Sequence, residues 1–203
     1  MQYLFLKRLF DLIIGTIGMI FVFIVSLILI PCYKFDKRNR GPLFYKQARI
    51  GINGEVFYIY KFRSMVVNAE EKLKLNETLY KKYKDNNYKL EPDDDPRITK
   101  LGEFLRKTSI DELPQFINVI KGEMSIVGPR PVVKEELCEY DESKLLSVKP
   151  GIMGLWQAKG RSNIGYPERA DIEMEYIDNA SMLFDFKVMI KNIIVVLKKD
   201  GAY

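Results

Sequence analysis

The chain has no histidine among its 203 residues, and that absence narrows its chemistry more than any single motif does. A Ser-His-Asp triad, a Cys-His pair, an imidazole base and a His-ligated zinc are all excluded. If the protein is an enzyme, carboxylates must act as nucleophile, base or metal ligand. Cysteine is nearly as scarce: Cys32 and Cys138 are too few for a disulfide framework, and reduced thiols in a cytoplasmic setting are expected. No internal repeat or low-complexity segment occurs. No A-x-A-like site comes after the first apolar run, which argues against a cleaved signal peptide.

Charge is missing altogether from residues 12–33, LIIGTIGMIFVFIVSLILIPCY. The run exceeds the roughly 20 apolar residues that cross a bilayer. A core helix apolar all round is a poor fit for so small a protein, so segment 1–34 is expected to reside in a membrane. Lys7 and Arg8 precede the run, and Lys34, Lys37, Arg38 and Arg40 come after it. The downstream cations keep the chain beyond residue 34 cytoplasmic by the positive-inside rule. Cations on both flanks also suit a segment that dips into the membrane and returns to the same face, with Pro31 as one place to bend. The net charge of +5 forms no continuous basic patch. Attraction to anionic lipid therefore fits better than nucleic-acid binding.

Two adjacent acids stand out downstream. Around Asp111-Glu112, residues Leu113, Phe116, Ile117 and Ile120 make the apolar stripe of an amphipathic helix, with Gly122 placed to end it. Ser109 to Glu112 has the form of a capping box, but Pro114 favours a start near Asp111 instead. Either start puts Asp111 at a helix N-terminus, which favours the ionised carboxylate and a bound phosphate. Capping acids are common, so on local spacing alone the pair also fits a plain helix cap.

The rest of the chain frames that pair. Leu43 to Tyr45 and Val56 to Phe62, with Asn53-Gly54 between them, signal a β-hairpin. Lys61 and Arg63 alternate with Phe62 and are expected on one face. Residues 66–88 are expected as one or two exposed helices. Asp93 and Asp95 form a D-x-D between prolines, either a metal motif or a solvated turn. Residues 98–108 predict a short amphipathic helix ending in Arg106 and Lys107. Gly128-Pro129-Arg130-Pro131 is a rigid turn offering one guanidinium, suited to phosphate or equally to solvent. Arg161 lies just beyond the only tryptophan in a second loop-rich block. Residues 184–199 fit a core helix or an interfacial one. The fold class is therefore mainly α with a small β-hairpin (α+β): a membrane-embedded segment 1–34, then a cytoplasmic domain, 35–203, with amphipathic interfacial helices.

The strings KRLFD, GPLFYKQARIG, YKFRSM, DPRITKLGEFLRKTSIDELPQFINVIKGEMSIVGPRP, KPGIMGLWQ and KKDGAY, in that order, resemble the bacterial sugar transferase family. These are monotopic polyprenyl-phosphate phosphoglycosyl transferases. The resemblance implies transfer of a hexose-1-phosphate from a UDP-sugar to undecaprenyl phosphate at the cytoplasmic face of the inner membrane. UMP is released, and capsule, exopolysaccharide or lipopolysaccharide O-antigen assembly begins. It implies Asp111 as nucleophile through a covalent phosphosugar intermediate, with Glu112 associated with Mg²⁺. Arg106 and Arg130 would hold phosphate, with Lys61 and Arg161 as further nucleotide- or membrane-side candidates. Downstream glycosyltransferases are implied partners, and nucleic acid is not. The strings look most like members transferring galactose- or glucose-1-phosphate, in a minimal form beginning at the catalytic unit.

Departures occur too. Phe23-Ile24 replace the Ser-Pro that breaks the family's apolar helix for re-entry, Met153 stands for Thr, and Ser162 for Asn. Two other readings stay open: a conventional glycosyltransferase using Asp93 and Asp95, which would release a nucleoside diphosphate, and a non-catalytic membrane scaffold.

Overall fold

In the computed structural model, which describes residues 2–85, 90, 95–160 and 164–198, the chain opens with one uninterrupted helix, α1 (Gln2–Phe35). Its 34 residues extend about 51 Å. The buried positions are Asp11, Gly15, Gly18, Val22, Leu29 and Tyr33, a single stripe that runs about 33 Å along the axis. The opposite side exposes Phe5, Ile13, Ile20, Phe23 and Ile28. The apolar run is therefore helical as expected, but one face of it is packed on the rest of the protein along most of its length. Phe23 and Ile24 lie within continuous helix, and Pro31 falls in its last turns.

Three side chains near the start of α1 fasten it. Buried Asp11 accepts from the Ser125 hydroxyl at 2.9 Å and the Ile126 amide at 2.8 Å. Lys7 donates to Asp185 at 2.6 Å and to the Val127 carbonyl at 2.8 Å. Arg8 donates to the carbonyls of Val119 and Ile120 in the last turn of a short helix. Sequence alone suggested a basic flank for these two cations; their charge is in fact used inside the protein. At the far end of α1 the Tyr33 hydroxyl donates to the Arg63 carbonyl.

The antiparallel hairpin comes next, β1 (Phe44–Ile50) with β2 (Val56–Phe62), in register from Phe44↔Phe62 to Ile50↔Val56. Asn53 (φ 57°) and Gly54 (φ 80°) turn it in the left-handed region, as their residue types allow. Two exposed helices lie beyond it, α2 (Ala69–Leu75) and α3 (Glu77–Asp85). Helix α4 (Lys100–Lys107) starts at Thr99, whose side chain accepts from the Gly102 amide at 2.9 Å. A 3₁₀ helix, Ile110–Gln115, runs into α5 (Phe116–Lys121), which ends at Gly122 with φ 83°. The apolar stripe continues through both elements, but its first half is 3₁₀. Ser109 has φ 56° and makes no side-chain cap, so the capping box does not form.

Gly15 and Gly18 let α5 approach α1 closely: a Cβ at Gly18 would overlap the Phe116 ring. Beyond α5, β3 (Ser125–Val127) pairs in parallel with β4 (Gly151–Met153), a second sheet that the sequence did not suggest. Between these strands lies α6 (Glu142–Leu145); after them come α7 (Leu155–Lys159), α8 (Glu168–Asp178) and α9 (Met182–Lys198). The core gathers Phe57, Ile59, Val119, Met124, Ile126, Val127, Tyr176 and Val188. Burial of each such side chain is worth on the order of 2 kcal/mol. Helix α9 is a core helix along one face, as one of the two readings has it. Val188 is buried, while Leu183, Phe186, Ile190 and Ile194 face outward.

Candidate active site

Lys61 lies next to last in β2, paired with Tyr45, on the same hairpin face as buried Ile59 and Phe57. From there its ammonium donates to Glu112 Oε1 at 2.7 Å. The strand ends at Phe62, so Arg63 does not join it in the site. Buried Arg63 instead donates to the carbonyls of Pro42 and Met65 at 2.8 Å each, and to that of Asn39. It ties the chain leaving α1 to the end of the hairpin.

Ser64 brings in the next cation. The Thr99 amide donates to the Ser64 carbonyl at 3.2 Å, and Gly102 passes so close to that carbonyl that any Cβ there would collide with it. One turn later Arg106 donates from Nε to the Ser64 hydroxyl at 2.9 Å. Burial holds the Arg106 guanidinium below its usual range, and Asp111 acts in the opposite sense.

Asp111 is buried in the first turn of the 3₁₀ helix, 8% exposed. Burial pushes its carboxyl up to about 6; Lys61 and Arg106 draw it down and Glu112 pushes it further up. Sequence pointed to a helix N-terminus that favours the ionised form; in the structure burial is the larger influence and opposes it. A 3₁₀ helix of six residues offers little dipole, and desolvation wins. At pH 7 the ionised form still predominates. It is also more basic than a surface aspartate.

The structure thus brings Asp111, Glu112, Arg106 and Lys61 together. Arg130 belongs elsewhere: it stands 5.6 Å from the Trp156 ring, and its amide donates to Glu173 at 3.3 Å. None of its described contacts reaches Asp111. Arg161 and Asp93 lie outside the described residues. Asp95 is buried and taken up by Arg97, which donates to both of its oxygens at 2.8 and 2.7 Å. This removes half of the D-x-D from metal binding.

Among the described residues no three Asp, Glu, Cys or His side chains converge as a metal cage. Mg²⁺ does not need one, since it keeps several waters and takes one or two carboxylates plus substrate phosphates. Asp111 and Glu112 fit that role; Glu112 is partly exposed and Lys61 takes one of its oxygens.

Two buried arginines were not among the residues that sequence singled out. Arg49 on β1 and Arg169 on α8 both lie close to Arg130. A charge at an inward strand position, as at Arg49, and an Arg-Glu pair at i, i+4, as at Arg169 and Glu173, were the available signals.

Comparison with known proteins gives the family of the chain. The family model described as bacterial sugar transferase matches residues 2–199. The chain is 43% identical, over 98% of its length, to the undecaprenyl-phosphate galactose phosphotransferase of Salmonella typhimurium, of which it covers 42%. It is 44% identical over 99% of its length to galactosyl transferase CpsE of Streptococcus agalactiae, covering 44% of that protein. The exopolysaccharide production protein ExoY of Sinorhizobium fredii is 41% identical and is covered over 88%. The chain spans less than half of the first two relatives. With matches across nearly its whole length, it belongs to the bacterial sugar transferase family.

Proposed function

We propose that the protein transfers a hexose-1-phosphate from a UDP-sugar to undecaprenyl phosphate and releases UMP, beginning the assembly of a surface polysaccharide. The observation that carries this reading is the buried Asp111 carboxylate, flanked by Lys61 and Arg106 with Glu112 adjacent. An ionised Asp111 needs no base. Its oxygen attacks the phosphorus that bears the sugar, and the bond from that phosphorus to the bridging oxygen breaks. UMP leaves with the electron pair, and the phosphosugar stays on Asp111. Lys61 and Arg106 offset the charge that gathers on the phosphate oxygens. A phosphate oxygen of undecaprenyl phosphate then attacks the same phosphorus and frees Asp111 as a carboxylate. Mg²⁺, held by Glu112 and Asp111 together with the donor phosphates, would supply neutralisation of the leaving phosphate.

The acceptor is a lipid, and the outward faces of α1 and α9 suit a lipid surface. Residues at both ends of α1 grip one folded unit, Asp11 on β3 and Tyr33 on the end of the hairpin. A helix so held keeps both ends on the same side of the bilayer as that unit. This supports a monotopic, cytoplasm-facing placement on the inner membrane without a Ser-Pro break.

The test uses purified protein with undecaprenyl phosphate, Mg²⁺ and a panel of UDP-sugars. UMP is expected with at least one UDP-hexose, and its release is expected to vanish in Asp111→Asn. Release of UDP instead, or full activity in Asp111→Asn, would overturn the reading.

A further inference from the structure

A second group of cations sits at the other end of the hairpin. Arg49 pairs with Phe57, four residues before Lys61 on β2, so the two positions are separated by about 13 Å. The Ile50↔Val132 bridge draws the Gly128–Pro131 turn against β1, with the Ile50 amide 2.9 Å from the Val132 carbonyl. Helix α8 adds Arg169 and, one turn on, Glu173. The Arg169 guanidinium lies 4.2 Å from the Trp156 ring centre and 5.0 Å from that of Tyr166. Arg130 reaches toward the same Trp156 at 5.6 Å and is the half-buried member, open to solvent.

The charges here do not balance. Arg49 has one carboxylate, Glu136, at 3.6 Å, and gives a further hydrogen bond to Gln47 at 2.8 Å. Glu173 is 0% exposed, and burial pushes its carboxyl up to about 7, so it offsets only part of one positive charge near neutrality. Burial pushes Arg49 down to about 10, and Arg130 beside it acts in the same sense. Arg169, 4% exposed, is likewise lowered, first by burial and then by Arg130. Among the described residues, its Nε and Nη2, and Nε of Arg49, have no hydrogen-bond partner. Buried guanidinium donors without acceptors are costly, and several cations held together without matching anions more so. An oxyanion relieves both costs, and the planar fork of arginine matches its geometry.

We propose that Arg49, Arg130 and Arg169, walled by Trp156, form a phosphoryl-binding site separate from the Asp111 centre. The phosphoryl ligand is inferred from the arginines themselves; which of the two substrates brings it, the nucleotide or the lipid phosphate, rests on the transferase reading above. Trp156 is the only tryptophan in the chain and therefore reports on this site directly.

The experiment monitors Trp156 emission in the full-length protein in detergent, with Asp111→Asn in place so that nothing turns over. Inorganic phosphate, UMP and a short-chain polyprenyl phosphate are titrated in turn. At least one is expected to change the emission saturably, with chloride at the same ionic strength giving no saturable change. Arg169→Gln and Arg130→Gln are each expected to raise the half-saturating concentration about tenfold or more. Circular dichroism melting identifies folded variants, and Arg130→Gln, at a half-buried position, is the informative one if Arg169→Gln does not fold. Tighter binding of UMP than of phosphate assigns the site to the donor; tighter binding of the polyprenyl phosphate assigns it to the acceptor. No saturable change with any of the three, or an unchanged half-saturation in folded Arg130→Gln, overturns the proposal. A failed transferase reading shows separately, as wild-type protein that releases no UMP.

Discussion

The inner face of one hairpin carries cations at both ends, and the two ends are built on opposite terms. At the β2 end, Lys61 and Arg106 face Asp111 and Glu112, so positive and negative charge are nearly matched and each cation has a partner. At the β1 end, Arg49, Arg130 and Arg169 gather with too little carboxylate among the described residues, where three of their donors have no acceptor. The first arrangement is matched in charge without a ligand and keeps a carboxylate buried between cations. The second is complete only when an anion arrives. Matched charge suits chemistry on a bound group, and unmatched charge suits capture of one.

The largest expected effect tests that contrast at its reactive end. Asp111→Asn is expected to lower UMP release by at least about a thousandfold. The same change is expected to raise stability at pH 7, by on the order of 2 kcal/mol, because the folded carboxyl titrates near 6 and ionising it in place opposes folding. The sign comes from the raised value. The penalty is absent at pH values below the unfolded carboxylate range, grows as pH rises toward 6, and is fully present above it. Denaturant melts at pH 4 and pH 7 measure it; an Asn variant less stable at pH 7 would break the account of Asp111 as a desolvated carboxylate.

Arg106→Gln is expected to lower kcat by about a hundredfold, as removal of a preorganised donor does. Arg169→Lys, which keeps charge but loses the fork, is expected to raise KM about tenfold for the substrate that shifts Trp156 emission. Equal effects on kcat from both variants would merge the two ends into one site. The pH profile gives a smaller effect. Activity is expected to fall roughly tenfold per unit as pH drops below about 6, as Asp111 takes up its proton. A profile flat down to pH 5 would mean that its ionisation is not required. Single cysteines near residues 3 and 38 give the smallest perturbation, and both are expected to label only from the cytoplasmic side of sealed vesicles.

Much of the candidate site around Asp111 was legible in the chain itself. A histidine-free sequence points to carboxylates, Asn53-Gly54 announces the hairpin, and Lys61 falls on the inward parity of its strand. What spacing could not give was the environment. Asp111 looked ionised by a helix end, whereas the first turn is 3₁₀ and the dominant influence is burial, which depends on residues more than forty positions away. Arg49 and Arg169 left only faint local signals, an inward strand position and an i, i+4 Arg-Glu pair. Neither signal says that they meet, and only the Ile50↔Val132 bridge and the packing of α8 bring them together. The motif KRLFD was visible as a family mark, but its use was not: Lys7 and Asp11 look like flanking charges until β3 and α9 are folded against them.

That fastening of α1 has a practical consequence. Severing the chain after Phe35 would uncover Phe62, Leu105, Phe116 and Val119, and would strip Ser125 and Ile126 of the acceptor that Asp11 provides. The fragment beginning at residue 36 is therefore not a water-soluble enzyme released from its tether but an incomplete fold.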